Sequence, residues 1–130
     1  MQHCIFCHGI NGKQILKETA FFFVVLDMDP IQEGHLLLIA KKHYHSLVEI
    51  PEEELMDLFR LEKEMLLLFE EHFSMLRVSF IQNNGNVMDA GTHFHLHLIP
   101  RYPKDNFWEN QEVVWQSLDL TLLKEAMLNS

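Results

Sequence analysis

The segment from residue 92 to residue 101 constrains this chain more than any other. It alternates histidine with large apolar residues, in the order His93, Phe94, His95, Leu96, His97 and Leu98. Because side chains of a β-strand alternate between its two faces, a strand here places the three imidazoles on one face and the apolar side chains on the other. Neighbours on one face lie about 6.5–7 Å apart. Three imidazoles in register predict a metal site or a nucleophile with helpers, and a strand face that is merely polar accounts for them poorly.

Composition limits the function classes that are open to the chain. Its 130 residues predict one domain with a single core. The formal charge of −9 argues against a partner with a nucleic-acid backbone. No apolar run is long enough to span a bilayer, and no targeting signal opens the chain, so we expect a soluble cytoplasmic protein without a membrane contact.

Two cysteines, Cys4 and Cys7, open the chain in a C-x-x-C spacing that we expect to form a turn. In a reducing compartment this spacing indicates half of a metal site or a redox pair. A redox pair would be expected in a thioredoxin-like βαβ context, whereas the residues that follow here favour a series of strands. A tetrahedral zinc site would need two further ligands.

The middle of the chain predicts strands on either side of one long helix. Strands are expected at residues 14–18, 20–26, 35–40, 76–82 and 92–101, with 20–26 paired antiparallel to 35–40 and 76–82 paired to 92–101. A helix is expected from Pro51 to Phe73, because proline suits the first helical position and three glutamates follow it. Its apolar stripe comprises Leu55, Leu58, Phe59, Met65, Leu66, Phe69 and Phe73. The predicted fold class is therefore α+β, a mostly antiparallel sheet of about five strands with the long helix packed on it.

The C-terminal part is unusually apolar for a tail. Its large apolar residues are Phe107, Trp108, Val113, Val114 and Trp115, which we expect to pack onto the domain or onto a second subunit. Asp119 is a suitable N-cap for a short final helix that ends at Leu128.

Several of these segments together resemble the histidine-triad (HIT) superfamily, in particular its zinc-binding bacterial branch of nucleotide hydrolases and transferases. The resemblance covers residues 4–101 and rests on five motifs in the same order: Cys4 to Cys7, Leu26 to Pro30, Gly34-His35 with Lys41 to His43, Asn83 to Gly85, and the triad with Pro100-Arg101. It implies one HIT-like domain over residues 1–130.

The resemblance also implies a role for particular residues. His95 matches the nucleophile and His97 its catalytic neighbour. The implied substrate-binding positions are Asp27 for the ribose, Asn83 near the α-phosphate, Ile5, Phe6, Leu26 and Met28 around the base, and His35 at the start of the second hairpin strand. The implied ligands of a structural Zn²⁺ are Cys4, Cys7, His43 and His93, and no organic cofactor is expected.

The segment before the triad departs from the family pattern. Many members have Gln-(Ser/Thr)-Val there, whose polar groups help to hold the phosphate or the leaving group, whereas this chain has Asp89-Ala90-Gly91-Thr92. The departure affects the leaving-group side, where Thr92 or backbone amides near Gly91 would have to act instead.

The implied activity is attack on the α-phosphorus of a purine nucleotide by His95, through a covalent nucleotidyl-histidine. Imidazole suits this role because its ordinary pKa of about 6.5 leaves it unprotonated at neutral pH. The expected substrates are dinucleoside polyphosphates or nucleoside 5′-phosphoramidates, and the expected assembly is a homodimer. Two alternatives stay open at this point: a metalloenzyme in which the triad histidines are the ligands, and a nucleotide-binding module without catalysis.

Overall fold

The computed structural model describes residues 4–73 and 77–130 and has an antiparallel five-stranded sheet at its centre. The strands are β1 (Lys17–Glu18), β2 (Phe22–Leu26), β3 (Leu36–Ala40), β4 (Arg77–Gln82) and β5 (His95–Arg101), in the spatial order β1-β2-β3-β5-β4. The helices are α1 (Ile5–His8), α2 (Glu52–His72) and α3 (Leu120–Leu128), with 3₁₀ turns at Gly12–Gln14, Leu47–Glu49 and Gly85–Val87. The predicted α+β class, the strand number and both helices are confirmed.

Pairing with β3 holds the histidine strand β5 in a fixed register. β5 pairs with β3 so that His97 lies opposite Leu37 and His95 opposite Ile39. The hairpin between β2 and β3 turns at Gly34, whose φ of +90° strains any residue with a Cβ. A Cβ there would also lie 3.2 Å from the ring of Pro100. Gly34 therefore lets this turn close against the end of the histidine strand.

The sheet buries apolar side chains on both faces. On one face, α2 covers Phe94, Leu96 and Leu98, as the alternation predicts. On the opposite face the N-terminal segment packs through Cys4 and Phe6 against apolar side chains of β2 and β3, namely Phe23, Val25, Leu37 and Ile39. The N-terminal segment thus covers part of the face that carries the catalytic candidates.

Helix α2 begins one residue later than predicted. Pro51 is the N-cap, with extended backbone, and not the first helical residue. The predicted stripe is also partly wrong, because Phe59 and Phe73 are exposed whereas Leu61, which the prediction omitted, is buried. The helix has a second, exposed apolar face, which a single stripe did not anticipate.

The strands predicted at residues 14–18 and 92–101 are shortened most in the structure. Only Lys17–Glu18 of the segment 14–18 is a strand, because a 3₁₀ turn occupies Gly12–Gln14. Of the segment 76–82, residue 76 lies outside the described residues and the rest forms β4. The histidine strand begins at His95 and not at Thr92, because the Phe94 amide donates to the Tyr44 carbonyl (2.6 Å) of the loop after β3. His93 therefore lies in the approach to the strand.

The apolar tail does not pack onto the domain as predicted. Phe107 alone of the five residues is half-buried, with the Arg101 guanidinium 4.3 Å from its ring centre. Trp108, Val113, Val114 and Trp115 are 70–87% exposed. The predicted N-cap of α3 is confirmed, because the Asp119 carboxylate accepts from the Leu122 amide. Within residues 4–73 and 77–130, no helix is long and apolar enough to cross a membrane.

Candidate functional site

Four side chains from three separate segments converge at the start of the histidine run. They are Cys4, Cys7, His43 and His93, and their sulfur and nitrogen atoms all lie within 4.8 Å of one another. The Sγ–Nδ1 distances are 3.2 Å from Cys4 to His93, 3.2 Å from Cys7 to His43 and 3.4 Å from Cys7 to His93. Two ligands of one tetrahedral zinc are separated by about 3.5 Å, given Zn–S and Zn–N bonds of 2.3 and 2.1 Å. The spacing and the donor set both fit Zn²⁺.

The His93 ring has one nitrogen available to this cluster. Its Nε2 donates to the carbonyl oxygen of Ala40 at 2.5 Å, because a carbonyl can only accept. In the neutral ring, the Nδ1 that faces the thiols therefore carries the lone pair, as a metal ligand requires. Burial is the main cause of its low pKa of about 4.

A buried carboxylate holds the loop that carries His43. Glu54, in the first turn of α2, is only 4% exposed. It accepts hydrogen bonds from the Tyr44 hydroxyl (3.0 Å) and from the Lys42 ammonium (3.1 Å), the two neighbours of His43 in sequence. The sequence analysis missed Glu54, because one of three consecutive glutamates at a helix start has the pattern of a solvated turn.

His95 lies next in the run with the opposite ring orientation. Its Nδ1 donates to the His93 carbonyl (2.7 Å), which leaves the lone pair on Nε2. Phe6 contacts the ring edge-on, with centroids 4.9 Å apart. Burial holds the pKa of His95 below its ordinary value, although the His93 carbonyl and the charges of Asp27 and Asp89 oppose that effect. Its Nε2 is therefore an unprotonated nitrogen at neutral pH.

The tautomer of His97 is set by a hydrogen bond from His35. The His35 Nδ1 accepts from the Ile31 amide (3.1 Å), so its Nε2 carries the hydrogen. That Nε2 lies 2.9 Å from His97 Nδ1 and 3.3 Å from an Asp27 oxygen. When Nε2 donates to His97, the hydrogen of His97 is placed on its own Nε2. The pKa of His97 is about 4, mainly through burial, so the ring is neutral at pH 7.

Asp27, His35 and His97 form a second group with ligand atoms inside 4.8 Å. A metal on His35 Nε2 would move the hydrogen of that ring to Nδ1, which then faces the donating Ile31 amide. Two donors would meet there, so the hydrogen-bonded chain explains this group better than an ion does.

A cleft of about 220 Å³ opens beside His95 and His97. The predicted binding residues Ile5, Phe6, Leu26, Asp27, Met28 and Thr92 line it, together with Asp89. Two predicted residues do not: His35 is 2% exposed and lies behind His97, and Asn83 follows β4 outside the lining. His35 therefore contacts the neighbouring ring of His97, and its role in substrate binding stays a prediction.

The short segment before His93 forms a closed turn at the rim of the cleft. The Thr92 amide and hydroxyl both donate to the Asp89 carbonyl (3.2 and 2.7 Å). The turn passes through Gly91, whose φ is +82° and whose carbonyl accepts from the Ile5 amide. Because the Thr92 hydroxyl hydrogen is used inside the turn, it is not the free donor that the sequence analysis expected.

Comparisons with known proteins identify the family of this chain. The family model of the HIT domain matches residues 9–104. The chain belongs to the HIT domain family. An uncharacterized HIT-like protein of Methanocaldococcus jannaschii is 35% identical over 107 residues, which cover 78% of this chain and 81% of that protein.

Two enzymes are also among the relatives of this HIT protein. An adenosine 5′-monophosphoramidase of Candida albicans is 36% identical, covering 75% of this chain and 70% of the enzyme. A bis(5′-adenosyl)-triphosphatase of Dictyostelium discoideum is 27% identical, covering 85% and 73%. The prediction that the chain is a hydrolase is confirmed by these relatives, although the sequence identity is modest.

Solved structures confirm the HIT fold along nearly the whole chain. A HIT family member of Bacillus subtilis has a TM-score of 0.73 and 26% identity, covering 98% of this chain and 96% of that one. A Zn-bound histidine-triad protein of Mycobacterium smegmatis has a TM-score of 0.68 and 23% identity, covering 95% and 96%. The second likeness bears on the fold alone.

Proposed function

We propose that this HIT protein hydrolyses a purine nucleotide at its α-phosphorus, with His95 as the nucleophile. One observation carries the proposal: the His95 Nδ1 donates to a backbone carbonyl, so an unprotonated Nε2 is left at neutral pH beside the cleft. The named enzymes among its relatives act on an adenosine phosphoramidate and on a diadenosine triphosphate, which is consistent with this substrate class.

The proposed reaction has two displacements. In the first, the lone pair of His95 Nε2 forms a bond to the α-phosphorus, and the bond from phosphorus to the leaving group breaks with its electron pair. His97 Nε2 donates a hydrogen bond to that leaving atom, which takes its proton from solvent as it leaves. In the second, water attacks the phosphorus, the bond from phosphorus to His95 Nε2 breaks with its electron pair returning to the nitrogen, and the water proton passes to solvent. His95 is thereby restored, and His97 stays neutral throughout.

The cleft residues have separate proposed roles. The apolar side chains of Ile5, Phe6, Leu26 and Met28 would hold the base. Asp27 would accept from the ribose hydroxyls, and Asn83 would approach the α-phosphate when substrate binds. A cleft lined mainly by apolar side chains with a few convergent polar groups suits a nucleoside.

We infer that Cys4, Cys7, His43 and His93 hold a structural Zn²⁺. Four protein ligands leave the ion no open position, so it would tie the N-terminal segment and the loop after β3 to the histidine run. His95 lies outside this ligand set, which favours the nucleophile over the alternative in which the whole triad binds a catalytic metal.

The decisive experiment compares His95→Ala with His72→Ala, which changes an exposed histidine at the end of α2. Each protein is assayed on adenosine 5′-phosphoramidate, diadenosine triphosphate and diadenosine tetraphosphate. We expect turnover to fall by about 10³-fold or more in His95→Ala and to persist in His72→Ala, with equal zinc content in both. Undiminished turnover in His95→Ala would refute the proposal, and lost zinc in that variant would favour the metalloenzyme.

The covalent step has its own test. Wild-type protein is quenched in acid during turnover, and intact mass and peptide mass are measured. We expect one added nucleotidyl group on the peptide that contains His95, and none in His95→Ala. Absence of the adduct at every quench time, during confirmed turnover, would contradict the covalent route. Tight nucleotide binding without any product would instead favour a binding module.

We also propose that a second copy of the chain covers the exposed apolar surfaces. Phe59 and Leu67 on α2 are 51% and 64% exposed, and Trp115 in the tail is 87% exposed. Apolar surface of this extent usually belongs to an interface. Sedimentation of the full chain should give a dimer, which Phe59→Ser and Trp115→Ser weaken and which Val48→Ser, at another exposed apolar position, leaves intact. A monomer at all concentrations would contradict the proposal.

A further inference from the structure

Two proposed zinc ligands enclose two residues of the cleft wall. Cys4 and Cys7 contribute their thiols to the proposed zinc site, whereas Ile5 and Phe6, which lie between them in sequence, line the cleft. All four residues belong to one short segment, because Cys4 is the N-cap of α1 and the other three lie within that helix. A displacement of either thiol therefore also displaces the cleft wall.

Phe6 lies between the proposed zinc site and the proposed nucleophile. Its ring contacts His93 edge-on with the centroids 5.6 Å apart, and it contacts His95 in the same manner at 4.9 Å. Phe6 is only 9% exposed and packs with Cys4 against side chains of β2 and β3. A base that packs on Phe6 therefore depends on where the zinc site holds this segment.

A zinc ion would be the strongest tie between this segment and the rest of the domain. Helix α1 has four residues, which is too short for a stable isolated helix, and its N-cap side chain makes no capping hydrogen bond. The thiol contacts with His43 and His93 are weak without a metal, because sulfur is a poor donor and a poor acceptor. The Ile5 amide does donate to the Gly91 carbonyl (2.8 Å), which holds only the start of the helix. Bonds from zinc to both thiols would fix its two ends.

We propose that Cys4 and Cys7 position the base wall of the cleft through zinc, so that zinc and a purine nucleotide each raise the affinity of the chain for the other. The proposal rests on the proposed function, because it concerns the same cleft and the same zinc site. Two states of the segment account for the coupling. With zinc bound, Ile5 and Phe6 stay in the cleft wall, and without it they leave the wall for part of the time. Since a coupling between two sites is reciprocal, each ligand changes the affinity of the other by the same factor.

The first experiment measures the affinity of AMP for zinc-loaded and zinc-free protein by calorimetry. In wild type we expect zinc removal to weaken AMP binding about tenfold, within the usual range for coupled sites. In Phe6→Ala the ratio of the two affinities should fall toward one, because the side chain that zinc positions is truncated. In Met28→Ala, which shortens a cleft residue outside the segment, AMP binding should weaken while the ratio persists. A ratio of one in wild type, or equal ratios in the two variants, would overturn the proposal.

A reciprocal experiment gives an answer even where the zinc-free chain unfolds. Competition with a chromophoric chelator measures the zinc affinity of wild type with AMP or with ribose 5′-phosphate, which lacks the base. Each ligand is used at the same multiple of its dissociation constant, so both oppose global unfolding equally. We expect AMP to raise the zinc affinity about tenfold more than ribose 5′-phosphate does, because only AMP contacts the base wall. Equal effects of the two ligands would overturn the coupling.

These binding measurements separate the coupling from the proposed hydrolysis, because AMP binds without being turned over. Absence of turnover alongside the expected affinities would contradict the hydrolysis alone. Turnover with the same AMP affinity in zinc-loaded and zinc-free protein would refute the coupling alone. Failure of the zinc-loaded protein to bind AMP would contradict the nucleotide cleft and, with it, the coupling.

Discussion

The two ends of the histidine run show how one residue type acquires two kinds of chemistry. At the first end, His93 donates through Nε2 to Ala40 and turns Nδ1 toward two thiols. At the second end, His95 donates through Nδ1 to the His93 carbonyl and keeps Nε2 free beside the cleft. The rings are two positions apart, and both are buried. In each ring, the nitrogen that donates to a backbone carbonyl carries the hydrogen, so the other nitrogen keeps the lone pair.

The two ends also differ in what holds them in place. The end with the proposed zinc site, called the metal end below, joins three segments that are distant in sequence, and Glu54 accepts a hydrogen bond from Tyr44 beside His43. The catalytic end is held within the sheet and the β2–β3 hairpin, through the chain from Ile31 to His35 to His97. We therefore expect damage at the metal end to cost stability, and damage at the catalytic end to cost turnover.

The most severe test of this difference is the matched pair His93→Ala and His95→Ala. Removal of His93 takes away one of the four proposed zinc ligands, and structural zinc contributes strongly to the folding of small domains. We expect zinc stoichiometry to fall well below one and stability to fall by more than about 3 kcal/mol. His95→Ala should keep its zinc and lose about 1–2 kcal/mol, the cost of one truncated buried side chain.

The measurements are metal analysis after gel filtration and urea unfolding with excess zinc. Addition of a strong chelator should lower wild type to the stability of His93→Ala and leave that variant nearly unchanged. Equal destabilisation of the two variants, with zinc retained in both, would remove the distinction between the ends.

The second prediction concerns the support behind the metal end. In Glu54→Ala the Tyr44 hydroxyl and Lys42 lose their common acceptor, so the loop that carries His43 is held less firmly. We expect zinc affinity to weaken about 10- to 100-fold, as for other residues that orient metal ligands. Glu53→Ala, at the exposed neighbouring position, is the control. Competition with a chromophoric chelator measures the affinity, and equal values for the two variants would show that Glu54 does not position the loop.

The sequence predicts which segments supply the candidate residues at both ends of the histidine run. It does not predict where the strand and the helix that carry them begin. The spacing of apolar residues predicts β2, β3, β5 and α2, because the side chains that an element buries recur at the period of that element. This signal is local in sequence. The shorter start of β5 could not be predicted, because the amide of Phe94 pairs with Tyr44, about fifty positions earlier in the chain. The same limit applies to Pro51, whose place at the N-cap depends on local backbone angles.

The residues that support the site were the hardest to predict from sequence. Glu54 is one of three consecutive glutamates, and only the packing of α2 distinguishes the buried one. His35 matches a family position, yet its contact with His97 arises from the pairing of Leu37 with His97 across two strands. Long-range contacts of this kind leave no periodic signal. A polar residue flanked by an apolar strand, as His35 is, remains the one hint that the sequence offers.

The third prediction tests the hydrogen-bonded chain at the catalytic end. His35→Ala removes the donor to His97 Nδ1, so the hydrogen of His97 is no longer confined to Nε2. We expect kcat to fall about 10- to 100-fold with a smaller change in KM. The loss should be larger for an alkylamine leaving group, which needs a proton, than for a good leaving group such as p-nitrophenol. A uniform loss for both leaving groups would indicate that His35 has only a structural role.

The smallest expected effect is a difference in the pH dependence of stability. The folded-state pKa of His97 is about 4, below the ordinary value near 6.5, because burial disfavours the charged ring. The unfolded chain therefore takes up a proton at His97 as pH falls below about 6.5, whereas the folded chain does not until about pH 4. Stability that is present above pH 6.5 should be lost progressively over that window.

His97→Asn removes this contribution and leaves the metal ligands in place. We expect the wild type to lose about 1–2 kcal/mol more than the variant between pH 7 and pH 5, less than a fully buried ring would give, since His97 is partly exposed. Urea unfolding of both proteins at each pH gives the difference, and any proton-linked loss of zinc is common to both and cancels. If the free energy of unfolding depended on pH in the same way for both proteins, His97 would have the same pKa in the folded and unfolded states. Burial would then not lower the pKa of His97.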